Sequence, residues 1–322
     1  MVSGETDYLT KLLEDSAEIR TNDELKRFVK KIDSLRIKKE LNDQMLSTNQ
    51  FLDTNLYERY PIYELHWLNY IVALRDIILS GEINLSRALK KVQDTLTVNH
   101  DKVFDKTVFF GKRRTIPSEI ITSWRDSLAL SLLTKNSDED VECVIEIGSG
   151  PALFLFKFWL SNGPLKADYY ALEITKTGRL FSNIISCLDS NISLKSSFFD
   201  YQKPDFSKLR CKYKKILIYS KGSIEQIPKL PLVFFKEILA LSEQLTCVHF
   251  EPVGWQIVKP YKQNLLTRKH RKRCIKKNYN TNLWSQLKEL EDSGQLTIND
   301  YAINFSGKSD HYESYISWTK RQ

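Results

Sequence analysis

The chain reads as an α/β protein, a doubly wound and mostly parallel sheet preceded by a helical region. Three observations predict it. Apolar Val144-Ile145-Glu146-Ile147 runs into Gly148-Ser149-Gly150-Pro151 and then into an apolar helical pattern, which is the order of buried strand, tight turn and helix start. Beyond Val141, short apolar runs alternate with helical stretches, as in a parallel sheet covered on both faces. Before residue 117 the dominant period is that of helices.

The helical region is justified element by element. Leu9, Leu12 and Leu13 recur at helical spacing, then Leu25, Phe28, Val29, Ile32 and Leu35. Tyr63 to Leu79 is more apolar, with Leu65, Leu68, Ile71, Val72 and Leu74 as its buried side, and Leu85 to Val98 gives another helix. With no glycine-rich linker, this region is expected to pack on the remainder of the chain. Lys102 to Trp124 is mixed, and Phe109-Phe110-Gly111-Lys112-Arg113-Arg114 reads as a turn. Pro117 opens a helix through Leu133, with Ser118 and Glu119 in its first turn. Asn136 to Asp140 is a polar connector. The expected division is 1–117, a helical cap, substrate or dimerisation region, and 118–322, the sheet domain.

In the second part the expected strands are Cys143–Ile147, Tyr169–Ile174, Leu194–Asp200, Lys215–Ser220 and Thr246–Pro252. Helices Ala152–Leu160, Gly178–Leu188 and Leu232–Leu245 separate them. A basic stretch, Lys259 to Lys277, comes next. Leu283 to Leu290 is an amphipathic helix stopped by Gly294, and Leu296–Phe305 with Ser314–Thr319 can pair as an antiparallel hairpin. Glu173 closes the second strand about twenty residues past the glycines, where a doubly wound fold places the acid that binds ribose hydroxyls.

The 322 residues carry a net charge of +8, which fits either an anionic partner such as RNA, a membrane surface or an acidic sugar, or a soluble Lys-rich protein. Cys143, Cys187, Cys211, Cys247 and Cys274 are dispersed, odd in number and without metal-type pairing. Buried free thiols in a reducing cytoplasm are expected. The polar, acidic N-terminus is unlike a signal sequence, and no apolar run reaches the length of a membrane span.

Five alternating strands and a terminal antiparallel pair make a Rossmann-like seven-stranded sheet, and here the chain resembles the class I S-adenosylmethionine-dependent methyltransferases over residues 118 to 322. The resemblance rests on Glu146-Ile147-Gly148-Ser149-Gly150-Pro151, Tyr170-Ala171-Leu172-Glu173, Phe198-Phe199-Asp200 and Ile218-Tyr219-Ser220-Lys221-Gly222-Ser223. It implies S-adenosylmethionine as cofactor. Gly148, Ser149, Gly150 and Pro151 would lie under its methionine part, with Glu146 near the amino-acid end. Glu173 with Ile174 would meet the ribose, Phe199 and Asp200 the adenine, and Ser220 the reacting end. Ala152 stands where the family has a third glycine. A nicotinamide dehydrogenase would want glycine at position 153, which is Leu153.

Methyl transfer needs an aligned nucleophile and, for a hydroxyl, a proton acceptor. One candidate cluster is Lys221-Gly222-Ser223-Ile224-Glu225-Gln226, with Glu225 and Lys221 as catalytic candidates and Ser223 and Gln226 as substrate contacts. The plainer alternative is a helix cap, Ser223 with Gln226 three residues on. The other cluster is Val248-His249-Phe250-Glu251-Pro252-Val253-Gly254-Trp255. Alternation puts His249 and Glu251 on one face, where they can act as base and orienting acid; a core histidine is the alternative. Trp255 offers an apolar platform or plain packing. No metal-ligand spacing appears. Arg268-Lys269-His270-Arg271-Lys272-Arg273 with Lys276 and Lys277 reads as a phosphate-binding patch joined by Arg113 and Arg114, or as the solvated face of a helix burying Leu265, Leu266 and Ile275.

The motifs resemble uncharacterised bacterial methyltransferases regarded as sugar O-methyltransferases. The expected acceptor is therefore a glycan or small-molecule hydroxyl. RNA bound through 259–277 is the alternative, and a non-catalytic cofactor-binding protein of this fold the third reading. The N-terminal helices are expected to cap the cofactor cleft or to make a homodimer contact.

Overall fold

The computed structural model describes residues 7–48, 60–97, 104–161, 163–308 and 311–321. Val98, Lys102 and the Glu119 side chain, which entered the sequence reading, lie outside the described parts. In chain order the helical region gives α1 (Tyr8–Ser16), α2 (Asn22–Lys30), α3 (Ser34–Thr48), α4 (Tyr60–Leu79) and α5 (Leu85–Thr97). Then come β1 (Phe104–Phe109), β2 (Lys112–Pro117), α6 (Ser118–Lys135), β3 (Cys143–Ile147), α7 (Leu153–Ser161), β4 (Asp168–Glu173), α8 (Lys176–Ser186) and β5 (Leu194–Phe198). The remainder is β6 (Lys215–Lys221), α9 (Leu232–Leu239), β7 (Gln244–Glu251), α10 (Gly254–Ile257), α11 (Leu265–Lys276), α12 (Leu283–Asp292), β8 (Leu296–Lys308) and β9 (His311–Lys320).

Among the described residues the sheet has nine strands, not the expected seven, in the order β2-β1-β8-β9-β7-β6-β3-β4-β5. The first strand of the alternating run lies inside the sheet and the order reverses there, which is the doubly wound signature. The two extra strands come from the segment read as a turn. Only Phe110 and Gly111 turn, at φ 42° and 73°, as a tight two-residue hairpin requires. Arg113 and Arg114 stand on β2. This strand escaped the reading because it is an edge: Lys112 to Thr115 are exposed, so no inward face imposes alternation, and the cations suit an unpaired edge.

The chain divides into two compact units. The first gathers α1–α5 with Ser149–Phe156 and Tyr169–Phe198. Leu9, Leu12, Leu25, Phe28, Val29, Ile32, Leu68, Ile71 and Leu74 are buried there. Leu35 is 78% exposed, because a new helix starts after Ile32. Asp33 accepts the Leu35 and Arg36 N–H groups at 3.0 and 3.1 Å, and this cap resets the helical period. A reciprocal capping box, Thr21 with Glu24, starts α2. Strands β4 and β5 pair in parallel, Tyr169 opposite Leu194, and α8 buries Leu180, Phe181, Ile184 and Ile185.

The second unit holds the other seven strands. Strand β3 is buried throughout, the mark of a parallel strand covered on both faces. It pairs with β6, β6 with β7 in parallel, and β7 with β9 antiparallel. Tyr219, Phe234, Phe235, Phe250, Tyr312, Tyr315 and Trp318 fill this core. Helix α9 ends at Leu239 and β7 begins at Gln244, earlier than apolar content alone suggested. Among the described residues no helix is long and apolar enough to cross a membrane.

Candidate functional site

In the first unit the glycine turn is held by backbone bonds. Ser149 N–H donates to the Leu172 carbonyl at 3.1 Å and Ala152 N–H to Ser149 at 2.8 Å. Gly150 sits at φ +54° and donates its N–H to Glu173 Oε2 at 2.8 Å. Glu173 Oε1 accepts the Thr175 N–H at 2.9 Å and its hydroxyl at 2.7 Å. Burial pushes the Glu173 carboxyl above its ordinary range, and these three hydrogen bonds pull the other way. Pro151 is buried and Ile174 half-buried beside them. A methyl group on Gly178 would come within 2.8 Å of the Gly150 carbonyl and 3.0 Å of Glu173, so the close approach of α8 depends on that glycine.

Two residues that the sequence reading passed over complete this set, both on α4. The buried Glu64 carboxylate accepts the Lys176 N–H at 2.7 Å, the Thr177 N–H at 2.9 Å and the Thr177 hydroxyl at 2.6 Å, all from the first turn of α8. Tyr60 adds a fourth bond at 2.7 Å. The Trp67 indole lies on Gly150: a methyl placed there would be 2.8 Å from Cζ2. A helical period marks Glu64 and Trp67 only as polar and aromatic interruptions, so nothing local signalled them.

In the second unit Gly148 leaves β3 at φ +65°. A methyl on it would lie 2.5 Å from Ser223 Cβ. Tyr201 Oη and Ser223 Oγ each donate to the Ile147 carbonyl at 2.9 Å and lie 2.7 Å apart. Ser223 therefore spends its hydroxyl on β3 and caps nothing. The cap of the short turn Ile224–Gln226 is Glu251 instead, which accepts the Ser223 and Ile224 N–H groups at 3.2 Å and that of Glu225 at 3.1 Å. Glu146 is buried on β3. Phe199 is buried, and Asp200 accepts the Gln202 N–H at 2.8 Å.

His249 and Glu251 share a face, as alternation predicts, and both meet Ser220. Trp318 donates its indole N–H to His249 Nε2 at 3.0 Å. Indole is a donor only, so the His249 proton is on Nδ1, 3.0 Å from Ser220 Oγ. The Ser220 hydroxyl in turn bonds Glu251. Burial holds His249 down to about 3. The imidazole is thus neutral, with its one lone pair spent on Trp318. Burial and the neighbouring Glu225 push Glu251 up to about 8.

Lys221 enters a separate charged group at the end of β6. It lies 3.3 Å from Asp126 and 3.6 Å from Glu313, while Arg125 reaches Glu313 at 2.7 Å and Lys157 pairs with Asp126. Burial works against the Lys221 charge, but Glu313 and Asp126 outweigh it and hold its pKa above the usual lysine value. Glu313, despite burial, is held at about 2 by Lys221 and Arg125. Nearby, Glu225 Oε2 lies 3.1 Å from His311 Nε2, and its Oε1 accepts from Gln226 at 2.6 Å. Asp126, His311 and Glu313 were not anticipated, since they stand far along the chain from Lys221 without a motif of their own.

Trp255 is half-buried with the Arg271 guanidinium 5.9 Å from its ring. Arg113 and Arg114 are exposed on the edge strand. The helix face of the basic stretch differs from expectation: α11 buries Thr267, His270 and Cys274, while Leu265 and Ile275 are 63% and 54% exposed. The helix packs through its small and polar residues, which leaves the two large apolar ones at the surface. Arg268, Arg271, Lys272, Pro260, Gln263 and Ile275 line an open cleft of about 340 Å³. Three of the five cysteines, Cys143, Cys247 and Cys274, are buried, and Cys211 is exposed. Among the described residues no three His, Cys, Asp or Glu side chains gather as metal ligands.

No protein-family model matches the chain, and no curated protein does. Solved structures show a remote likeness. Geranyl diphosphate methyltransferase in complex with GPP and sinefungin is 10% identical over 62% of this chain and 77% of that one, with a TM-score of 0.42. Magnesium protoporphyrin IX methyltransferase (ChlM) from Synechocystis PCC 6803 with bound SAH is 11% identical over 62% and 84%, also at 0.42. Small RNA methyltransferase HEN1 is 14% identical over 64% and 26%, at 0.43. At such scores the likeness assigns neither ligand nor substrate.

Proposed function

We propose that the chain is an S-adenosylmethionine-dependent methyltransferase acting on a hydroxyl of a sugar or another small molecule. The observation that carries this reading is the 2.8 Å bond from Gly150 N–H to Glu173 Oε2, between residues 23 apart in sequence. The glycine turn and the acid closing the next strand are within reach of each other, as a cofactor spanning both would need. The residues fit the group in their hydrogen-bonding chemistry: Glu173 Oε2 accepts one bond where a carboxylate oxygen can take two. In the first unit Ser149, Gly150, Pro151, Glu173 and Ile174 carry the assignment, in the second Glu146, Gly148, Phe199, Asp200 and Ser220.

The cofactor supplies an activated methyl on a sulfonium sulfur. The chain must position the acceptor and take its proton. Of the catalytic candidates, His249 has no free lone pair and holds Ser220, while Glu251 orders the turn that carries Glu225. The proton acceptor falls to His311, one-quarter exposed and with Glu225 Oε2 3.1 Å from its Nε2, which leaves Nδ1 for the hydroxyl. Lys221 orders Asp126 and Glu313. Gln226, Trp255, Arg113 and Arg114 remain the proposed acceptor contacts, with Ser223 supporting the turn.

Glu173→Ala should weaken S-adenosylhomocysteine binding at least about tenfold, equivalent to about 1.4 kcal/mol, by calorimetric titration. Unchanged affinity would remove the site assignment. RNA as acceptor is favoured by one observation: Lys259 to Lys277 holds nine cations and no acid. An RNA-binding protein of this kind loses affinity steeply with salt, and a flat salt response in filter binding would discard it. Cofactor affinity with no transfer to any acceptor would mark a binding protein of the same fold.

A further inference from the structure

We infer that α4 is a self-closing cover over the glycine turn, with Trp67 as the shield and Glu64 as the latch; this rests on the cofactor reading of Gly150 and Glu173. Three atoms of the Trp67 benzo edge lie 2.8 to 3.3 Å from where a methyl on Gly150 would be, which is direct van der Waals contact with the glycine itself. A ligand cannot approach Gly150 from the side toward which a Cβ would point while the indole is there. The Gly150 N–H is likewise already taken by Glu173.

Glu64 fixes α4 in that position. Its four accepted bonds come from Tyr60 and from Lys176 and Thr177, and these last two begin α8, directly after the Glu173–Thr175 turn. A carboxylate on a helix N-terminus satisfies N–H groups that the helix leaves unpaired and meets the positive end of its dipole. The latch is therefore strong where it sits and next to the acid that would hold the ligand. Tyr63, His66, Trp67 and Tyr70 form an aromatic row along the same helix, with ring centroids 4.6 to 6.1 Å apart, Tyr63 stacked on Trp67 and the other pairs tilted or edge-on. His66 is exposed and the other three are half-buried. The Trp67 side chain thus belongs to a partly solvated aromatic row, which meets the core at Tyr70, edge-on to buried Phe181.

A site open only in a fraction of molecules binds with an apparent affinity reduced by that fraction. Removing the shield should raise it. The test is titration of S-adenosylhomocysteine into wild type, Trp67→Ala and Glu64→Gln, with association rates from stopped flow. The cover predicts tighter binding and faster association, about tenfold for Trp67→Ala and less for Glu64→Gln, which keeps the indole and loosens the latch. It also predicts that saturating ligand speeds hydrogen exchange at the Lys176 and Thr177 amides of wild type. Binding by Trp67→Ala alone would be the extreme form of the same result. Weaker or unchanged binding in both variants, while wild type binds, overturns the cover and leaves the cofactor reading intact. Absence of binding in all three overturns the cofactor reading and the cover together.

Discussion

Four hydrogen-bond donors converge on the Glu251 carboxylate, yet burial and Glu225 still raise its pKa to about 8 from an ordinary 4.5. A carboxyl whose folded pKa is raised binds its proton more tightly in the native state. Its contribution to stability is complete below about pH 4.5 and is lost as pH rises through about 8. Stability should therefore fall across that window by at most about 1.4 kcal/mol per pH unit for this one proton. Glu251→Gln should flatten the urea-midpoint profile over the same range, and parallel profiles would refute the assignment. His249 gives a second prediction. Alanine there strands the Trp318 indole N–H and removes the donor to Ser220 Oγ, and should lower unfolding free energy, read from denaturant unfolding, by about 2–4 kcal/mol. The shared face of His249 and Glu251 was legible from a period of two. The partner that occupies the histidine, 69 residues away, was not, because register between distant strands has no local signature.

At the scale of elements, the boundaries with caps and special dihedrals were the readable ones. Strand β3 and the glycine turn stand where the residues place them, and Gly294 at φ +76° ends α12. Ala152 is instructive. The pattern that the sequence resembles has glycine there, and in this chain Ala152 is fully buried at φ +55°, a conformation that disfavours a side chain by about 1–2 kcal/mol. Ala152→Gly should gain about 0.5–1 kcal/mol after the entropy glycine adds to the unfolded chain, read from denaturant unfolding; a loss would mean that the methyl contacts matter more than the backbone. The elements that could not be read are those lacking a single buried face, the β1–β2 hairpin and the exposed side of α11. The charged group joining α6, β6 and β9 was also out of reach. Asp126→Asn leaves Lys157 and Lys221 without that acid and should cost about 3–5 kcal/mol, visible as a large fall in melting temperature.

For the molecule as a whole, the alternation of strands and helices was enough to anticipate a doubly wound sheet, and the spacing of Glu173 from the glycines enough to anticipate their meeting. The grouping of α1–α5 with Ser149–Phe156 and Tyr169–Phe198 was not, since a helix says what it buries but not against which partner. That grouping is what brings Trp67 and Glu64 to the turn. The nine cations of residues 259–277 concentrate positive charge in one stretch of the chain, a feature that composition alone made legible. The central claim is that the glycine turn and Glu173 hold the adenosyl sulfur cofactor. Its most direct test is calorimetric titration of the unmodified protein with S-adenosylhomocysteine, with a nicotinamide dinucleotide alongside. The account predicts saturable one-to-one binding of the first and none of the second. Binding of the dinucleotide alone, or of neither, would contradict it.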